Sequence, residues 1–182
     1  MRRFALYGVC CAVMMFALCG CRMLEWRQVT FYKGLKIRED LLEKNSYNPW
    51  NVGPAVNERT YLNNRRDNSY VSYHFAVDES EAIQILPLDV NGWHAGDGQG
   101  KGNRASIGIE ICRSRCTGKD EQLYRRAEAN GVKLAACLLR KFNLPLSALR
   151  KHQDWSGKNC PHRILDEKRW ESFRRQVGDA MR

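Results

Sequence analysis

A histidine and a cysteine separated by seven residues form the most chemically suggestive segment of the chain. His152 and Cys160 lie in a polar stretch, and Pro161 follows the cysteine directly. Imidazole nitrogen and thiolate sulfur are common zinc ligands, and a loop of this length lets both converge on one tetrahedral ion. The spacing alone is equally compatible with a surface loop that holds an incidental histidine and a buried cysteine.

An acidic residue interrupts an apolar run earlier in the chain. Ile107, Ile109 and Ile111 occur at every second position, and Glu110 lies between the last two. Side chains alternate between the two faces of a strand, so Glu110 is expected to point away from the isoleucines. There it is either an ordinary solvated carboxylate or a general base able to take a proton from a metal-bound water.

A glycine-rich loop carries a further histidine. Residues 92–102 contain five glycines, and Trp93 and His94 lie near the start of this loop. A loop histidine either contacts a substrate or only bonds to backbone. Trp93 and His94 are therefore candidate substrate-binding residues.

The elements that hold these residues are indicated by periodicity. Alternating β-branched and aromatic residues predict strands over residues 70–77, 82–86 and 106–112. Helical spacing predicts helices over residues 120–142 and around Trp170, Phe173 and Val177. Residues 37–44 are expected to form a short helix or a turn, and residues 55–62 a further helix. Strands interspersed with helices predict an α/β fold, with a single mixed β-sheet flanked by helices.

The composition is that of one globular domain with an excess of positive charge. The 182 residues include 30 Lys and Arg against 20 Asp and Glu, a formal net charge of +10. This favours polyanionic surroundings such as nucleic acid, anionic lipid or an acidic cell wall. The basic residues are scattered along the sequence and do not alternate with aromatic residues as in nucleic-acid-binding modules. We therefore expect no nucleic-acid partner. Steeply salt-dependent DNA binding would contradict this expectation. We expect a monomer.

The beginning of the sequence has the pattern of an export signal. Arg2 and Arg3 precede an uncharged run of 18 residues, from Phe4 to Cys21. The run ends Leu18-Cys19-Gly20-Cys21, which resembles a bacterial lipobox with Cys21 as the lipid acceptor, and it is also long enough for an uncleaved membrane anchor. We expect an exported protein with residues 1–21 as signal or anchor, 22–36 as a tether and 37–182 as the folded domain.

The eight cysteines divide into two groups. Four lie in the first 21 residues, and Cys112, Cys116, Cys137 and Cys160 lie in the predicted domain. Four cysteines allow three full pairings, so the sequence fixes no disulfide. Cys137 has the spacing of a small core residue of the long helix.

Several blocks together resemble one known family. From Ile37 to about Leu165 the chain is similar to the type 2 amidases, the zinc-dependent N-acetylmuramoyl-L-alanine amidases of phage endolysins and bacterial autolysins. The blocks occur in the family's order: Ser72–Asp78, Ala82–Gln84, Trp93–Gly98, Asn103 with Ser106–Cys112, and His152–Pro161.

The resemblance implies a substrate, a cofactor and roles for individual residues. The family hydrolyses the amide between N-acetylmuramic acid and L-alanine of the peptidoglycan stem peptide. By position, His152 and Cys160 would bind Zn²⁺ and Glu110 would be the general base. Lys158 would stabilise the oxyanion, and Tyr73 would lie near the metal. Zinc lowers the pKa of its bound water, and a cation offsets the developing negative charge.

One part of the family pattern is missing. The family carries its first zinc-binding histidine on an early central strand, whereas no histidine precedes His74 here and the flanking segments are joined by Pro49–Gly53. We therefore expect an amidase-like sheet that lacks this strand and a zinc site that lacks its third ligand.

Two consequences follow from the missing ligand. His74 is a weak substitute, because Tyr73 and His74 point to opposite faces of an undistorted strand. The alternative to an active amidase is a degenerate, non-catalytic peptidoglycan-binding lipoprotein, which zinc content and cleavage of the muramoyl-alanine bond would distinguish.

Overall fold

A mixed five-stranded sheet organises the computed structural model, which describes residues 29–39, 55–56, 71–113 and 121–182. The strands are β1 (Val29–Tyr32), β2 (Leu35–Glu39), β3 (Phe75–Val77), β4 (Glu81–Gln84) and β5 (Ile109–Ile111). Their order across the sheet is β1-β2-β4-β3-β5. The neighbours β1–β2 and β3–β4 are antiparallel, whereas β2–β4 and β3–β5 are parallel. The predicted mixed α/β sheet is confirmed.

Two long helices and several short ones surround the sheet. The helices are α1 (Lys101–Arg104), α2 (Glu121–Lys141), α3 (Gln153–Ser156), α4 (His162–Asp166) and α5 (Trp170–Met181), with a 3₁₀ turn, η1, at Leu146–Ala148. The predicted helices at residues 120–142 and near the end of the chain are thus confirmed as α2 and α5. Residues 55–56 are helical, and the rest of the predicted helix 55–62 lies outside the described residues.

The two faces of the sheet have different coverings. On one face, Phe75 and Val77 of β3 pack with Leu134 and Leu138 of α2. The outer side of α2 packs against Phe173 and other residues of α5. On the opposite face, Tyr73, Ala76, Ile83, Ile85 and Cys112 form a smaller cluster with Ala55. The candidate site lies on this second side, away from α2.

A bulge interrupts the edge of β3 just before its first residue. The backbone N–H groups of His74 and Phe75 both donate to the Gly108 carbonyl, each at 3.0 Å. Two donors to one acceptor break the alternation of side chains, which is the geometry of a β-bulge. Tyr73 therefore joins the same cluster as Ala76, three residues later, and the predicted strand over 70–77 is regular only from Phe75 to Val77.

The hairpin of β1 and β2 corrects two predictions. Residues 29–36, expected to be part of a tether, form β1 and the start of β2, and residues 37–39, expected to be helix or turn, complete β2. Leu35 and Ile37 are buried against Phe75 and α2, so this hairpin belongs to the core. Strand pairing with β4 outweighs the local helical pattern.

The remaining organisational predictions fall outside the described residues. These are the signal or anchor at residues 1–21 and the gap at residues 49–53. The described strands form a continuous sheet from β1 to β5. Within the described ranges no helix has the length and apolar character needed to cross a bilayer.

Candidate active site

A tight loop brings the predicted metal-ligating residues together. His152 immediately precedes the single turn of α3, and the Gln153 N–H donates to the Cys160 carbonyl at 3.1 Å. Gly157 ends α3 with a φ of +76°, a left-handed conformation that glycine adopts without strain. The bond between Gln153 and Cys160 closes the loop at its base, so His152 and Cys160 are held at neighbouring positions.

Electrostatic coupling shows which side chains share this site. Burial lowers the pKa of His152, and the Lys158 ammonium lowers it further. Burial raises the pKa of the Cys160 thiol; the Glu110 carboxylate raises it further and Lys158 opposes this. Glu110, Lys158 and Cys160 are therefore close enough to influence one another, although Glu110 lies far away in sequence. Lys158 itself is exposed.

The side of the sheet predicted for Glu110 is confirmed. Ile109 and Ile111 pack against the cores on the α2 side, whereas Cys112 belongs to the cluster on the opposite face. Glu110 pairs in register with Ala76, another member of the opposite cluster. Its carboxylate therefore lies on the face that carries the Cys160 loop.

A second loop, residues 93–104, packs against His152. The Asn103 Oδ1 accepts hydrogen bonds from the backbone N–H groups of His94 and Ala95 at 2.8 and 2.7 Å, and its Nδ2 donates to the Gly98 carbonyl at 2.9 Å. Asp97 accepts from the N–H groups of Gly102 and Asn103. These bonds fix the loop ahead of α1, the single helical turn with which it ends.

The fixed loop lies directly against the imidazole. Gly96 has a φ of +67°, and a Cβ there would be only 3.3 Å from Nε2 of His152. A hydrogen bond to the Ala95 backbone raises the pKa of His152 and so opposes the effect of burial. The Ala95 carbonyl therefore lies near the imidazole ring. Backbone contact of this kind orients an imidazole as an outer-shell partner does in metal sites.

The two candidate substrate-binding residues differ in exposure. Trp93 is 39% exposed and available for contact. The His94 ring is enclosed: a Cβ on Gly92 or Gly108 would lie within 2.8 or 2.7 Å of it, and its edge faces His74 at a centroid distance of 5.9 Å. Burial and the neighbouring His74 lower the pKa of His94 to about 4, so it is neutral at physiological pH. His94 is therefore a half-buried residue of the loop, packed against Gly92, Gly108 and His74.

His74 is already fully engaged. Its Nδ1 accepts from the Gly108 N–H at 3.0 Å, so its Nε2 carries the proton and donates to the Val90 carbonyl at 2.9 Å. Burial lowers the pKa of His74, which is consistent with this neutral tautomer. Neither ring nitrogen is left to bind a metal, and the suggestion of His74 as a substitute ligand is wrong for this conformation. Tyr73 is buried among Ala76, Ile83 and Ile85.

The comparison with known families is decisive. Residues 46–163 match the family model described as N-acetylmuramoyl-L-alanine amidase, type Amidase_2. The chain belongs to this amidase family.

Individual amidases are similar over most of this chain. It is 49% identical over 135 residues to the N-acetylmuramoyl-L-alanine amidase CwlA of a Bacillus species, an alignment that covers 73% of this chain and 51% of CwlA. It is 47% identical over 132 residues to the amidase XlyB of Bacillus subtilis, covering 72% of this chain and 40% of XlyB. The chain thus spans about half or less of these relatives' length.

A solved amidase-family structure has the same fold. The structure of PlyL superposes with a TM-score of 0.66 at 38% identity, covering 78% of this chain and 96% of PlyL. The catalytic domain of XlyA gives a TM-score of 0.60 at 39% identity. The architecture described above is therefore the amidase fold.

The donors found among the described residues do not by themselves complete a catalytic zinc site. A catalytic zinc ordinarily has three protein ligands and a water. Among the described residues, no group of three or more His, Cys, Asp or Glu side chains is arranged to hold a metal ion. His152 and Cys160 supply two donors, and the nitrogens of His74 are used elsewhere. The expected shortage of one ligand stays a prediction, because residues outside the described ranges also carry donor side chains.

Sequence reasoning did not assign roles to three residues around the site. Asn103 and Asp97 fix the loop behind His152, and Arg113, directly after Cys112, donates to His162 Nε2 at 3.0 Å. Asp97 and Asn103 lie in two of the blocks that resemble the family, but the resemblance gave neither residue a role. Arg113 and His162 are 49 positions apart, so their contact depends on the fold.

Proposed function

We propose that this chain acts on peptidoglycan as an N-acetylmuramoyl-L-alanine amidase, hydrolysing the bond between N-acetylmuramic acid and the L-alanine of the stem peptide. The observation that carries the proposal is the convergence of Glu110, Lys158 and Cys160, distant in sequence, beside His152 in a domain of this amidase family. In this proposal the Glu110 carboxylate accepts a proton from the attacking water. The Lys158 ammonium stabilises the oxyanion that forms on the amide carbonyl.

Zinc has a restricted place in this proposal. An imidazole and a thiolate suit zinc, but the described residues supply two donors where a catalytic zinc ordinarily has three. We therefore assign no step of the reaction to the metal. This shortage also favours a second candidate function, a peptidoglycan-binding protein that retains the cleft without hydrolysis.

One experiment separates the two functions. The full chain is incubated with purified peptidoglycan, and both the bound protein and the newly released L-alanine amino groups are measured. An amidase releases amino groups, and Glu110→Gln should lower that rate by about 100-fold or more while leaving binding intact. Asp89→Asn, at an exposed position outside the site, is the matched control. Binding with no release in the parent would support the non-catalytic function, and failure to bind would contradict both.

Metal content is tested independently of activity. If His152 and Cys160 hold zinc, gel-filtered protein should contain it, and Cys160→Ser should lose it. Cys137→Ser is the control, because this thiol packs against the helix core away from the loop. Equal metal content in the parent and in Cys160→Ser would remove Cys160 from the ligand set.

We also propose that the protein is exported and carries lipid on Cys21. The support is the basic start, the uncharged run and the Leu-Cys-Gly-Cys ending at Cys21. In a bacterial host, labelled palmitate should mark the parent and Cys19→Ala but not Cys21→Ala. Membrane retention of Cys21→Ala without label would instead support an uncleaved anchor.

A further inference from the structure

The most unusual surface of the domain lies at the end of α2, far along the chain from the amidase residues of β5. Residues 140–151 contain four basic residues and no acidic one: Arg140 and Lys141 begin the segment, and Arg150 and Lys151 end it. The residues between them are mostly apolar. Residues 140–145 are all exposed. Together with Arg174 and Arg175 of α5 we call this surface the basic tip.

Two large apolar side chains stand out on the basic tip. Phe142 and Leu144 are 42% and 43% exposed, and they are two of the five large hydrophobic side chains classed as exposed among the described residues. Lys141 lies 5.9 Å from the centroid of the Phe142 ring, so the charge and the apolar group share one surface. Clustered exposed apolar side chains mark an interaction site more often than scattered ones do.

A groove continues this surface between η1 and α5. Its lining includes Leu149, Trp170, Arg150 and Arg174 together with the acidic residues Asp154 and Glu171. A second hollow beside it is lined by Leu146 and Arg175, again with Glu171 and Arg174. Arg174 pairs with the exposed Glu171, and Lys151 pairs with Asp154. Arg150 and Arg175 form no salt bridge with a described residue. The tip therefore keeps positive charge available for a partner.

We infer that the basic tip is a docking surface for an anionic lipid bilayer. Apolar side chains ringed by Lys and Arg match the interface between acyl chains and negatively charged headgroups. A soluble polyanion would be bound by the cations alone and would leave Phe142 and Leu144 unused. A second copy of this chain is disfavoured, because two basic tips on proteins of net charge +10 repel each other.

Lipid docking has a consequence for the whole domain. The basic tip begins at the C-terminal end of α2 and includes Arg174 and Arg175 of α5. These two helices pack together in one core. A bilayer contact here would hold the domain in one orientation, whatever attaches the start of the chain. The inference does not depend on hydrolysis, so it survives if the proposed amidase activity fails.

Site-specific photo-crosslinking in the full chain tests the inference. The benzophenone amino acid p-benzoylphenylalanine is placed at position 142, and in a separate protein at position 90, since Val90 is similarly exposed at 46% but lies elsewhere. Each protein is mixed with phosphatidylcholine vesicles, with or without phosphatidylglycerol, and illuminated. Lipid adducts are measured by mass spectrometry. A membrane anchor at the start of the chain does not obscure this local readout.

The docking surface predicts a specific pattern of adducts. Position 142 should give at least about tenfold more lipid adduct than position 90, and only with phosphatidylglycerol present. Reversing two exposed charges, Arg150→Glu with Arg175→Glu, should reduce that adduct by about tenfold, since each cation near an anionic surface contributes separately. Equal adducts at both positions, or equal adducts in neutral vesicles, would overturn the inference. Adducts from position 142 to a second copy, or to residues 1–28 of the same chain, would overturn it as well.

Discussion

Replacing Asn103 by alanine should loosen the loop that supports His152. Asn103 is only 1% exposed, and its side chain makes three hydrogen bonds to the backbone of its own loop. The backbone bonds of the short helix α1 do not reach the His94 and Ala95 N–H groups, so they cannot take over this role. Alanine would fill part of the volume but would neither accept nor donate a hydrogen bond.

The size of the effect follows from the groups left without partners. The N–H groups of His94 and Ala95 would both lose their acceptor, and leaving a buried polar group unsatisfied costs about 1–3 kcal/mol. Partial entry of water would reduce the total, so we expect a loss of about 3 kcal/mol in the free energy of unfolding. Asn103→Asp keeps the two accepted bonds but buries a carboxylate that faces the Gly98 carbonyl and lies beside Asp97, so its loss should be at least as large.

Two measurements check this expectation. Urea unfolding gives the global loss, and amide hydrogen exchange at His94 and Ala95 reports whether the loop opens locally. Gln99→Ala, an exposed position of the same loop, should leave both unchanged. A loss below about 1 kcal/mol in Asn103→Ala, with slow exchange at both amides, would show that the loop is held by contacts other than Asn103.

Two further predictions concern stability. The pKa of His94 is about 4 in the folded protein and 6.5 ordinarily, so below pH 6.5 the unfolded chain binds a proton that the folded protein does not. The free energy of unfolding should therefore fall as the pH is lowered from 6.5 to about 4, by up to about 3 kcal/mol from this residue. Urea titrations of His94→Gln should show a shallower fall over this range. An identical pH dependence in the parent and the variant would refute the lowered pKa of His94. Arg169→Met should lower the free energy of unfolding, measured in urea, by about 3 kcal/mol, because it leaves the buried Glu128 carboxylate without its bidentate partner. The control Arg182→Met breaks only an exposed ion pair and should lower it by under about 1 kcal/mol. Equal losses in these two variants would contradict the buried pair.

Periodicity predicted the elements whose local pattern agrees with their tertiary role. The helix α2 presents Leu134 and Leu138 to the sheet at helical spacing, and β5 alternates Ile109 and Ile111 with Glu110. These patterns are visible in sequence because burial selects the same residues that the local structure favours. The side of the sheet that Glu110 occupies followed from alternation alone.

Elements decided by distant partners could not be predicted in the same way. The segment from Lys36 to Glu39 has a helical local pattern but pairs with β4, more than 40 positions later, and so becomes a strand. The bulge at His74 depends on the Gly108 carbonyl, so the faces of Tyr73 and His74 could not follow from alternation. The engagement of both His74 nitrogens likewise requires Val90 and Gly108 in position.

The expected lack of a third ligand leads to a last prediction, because one insertion tests both the site and the sheet. A strand of the family type that carries a histidine is inserted between Asn51 and Pro54. In the described sheet β5 pairs only with β3, so the added strand has an edge beside Glu110 with which to pair. A third donor completes the ligand set, and a metal present at 100 times its Kd stabilises the fold by about 2.7 kcal/mol. Apolar burial by the strand itself adds about 25 cal/mol per Å². Zinc affinity, thermal stability and cleavage of peptidoglycan should therefore rise together.

The same insertion with alanine in place of histidine should raise stability without restoring zinc binding or activity. If the parent already cleaves peptidoglycan as fast as the repaired chain, another group completes the site, and the two-donor description of His152 and Cys160 is wrong.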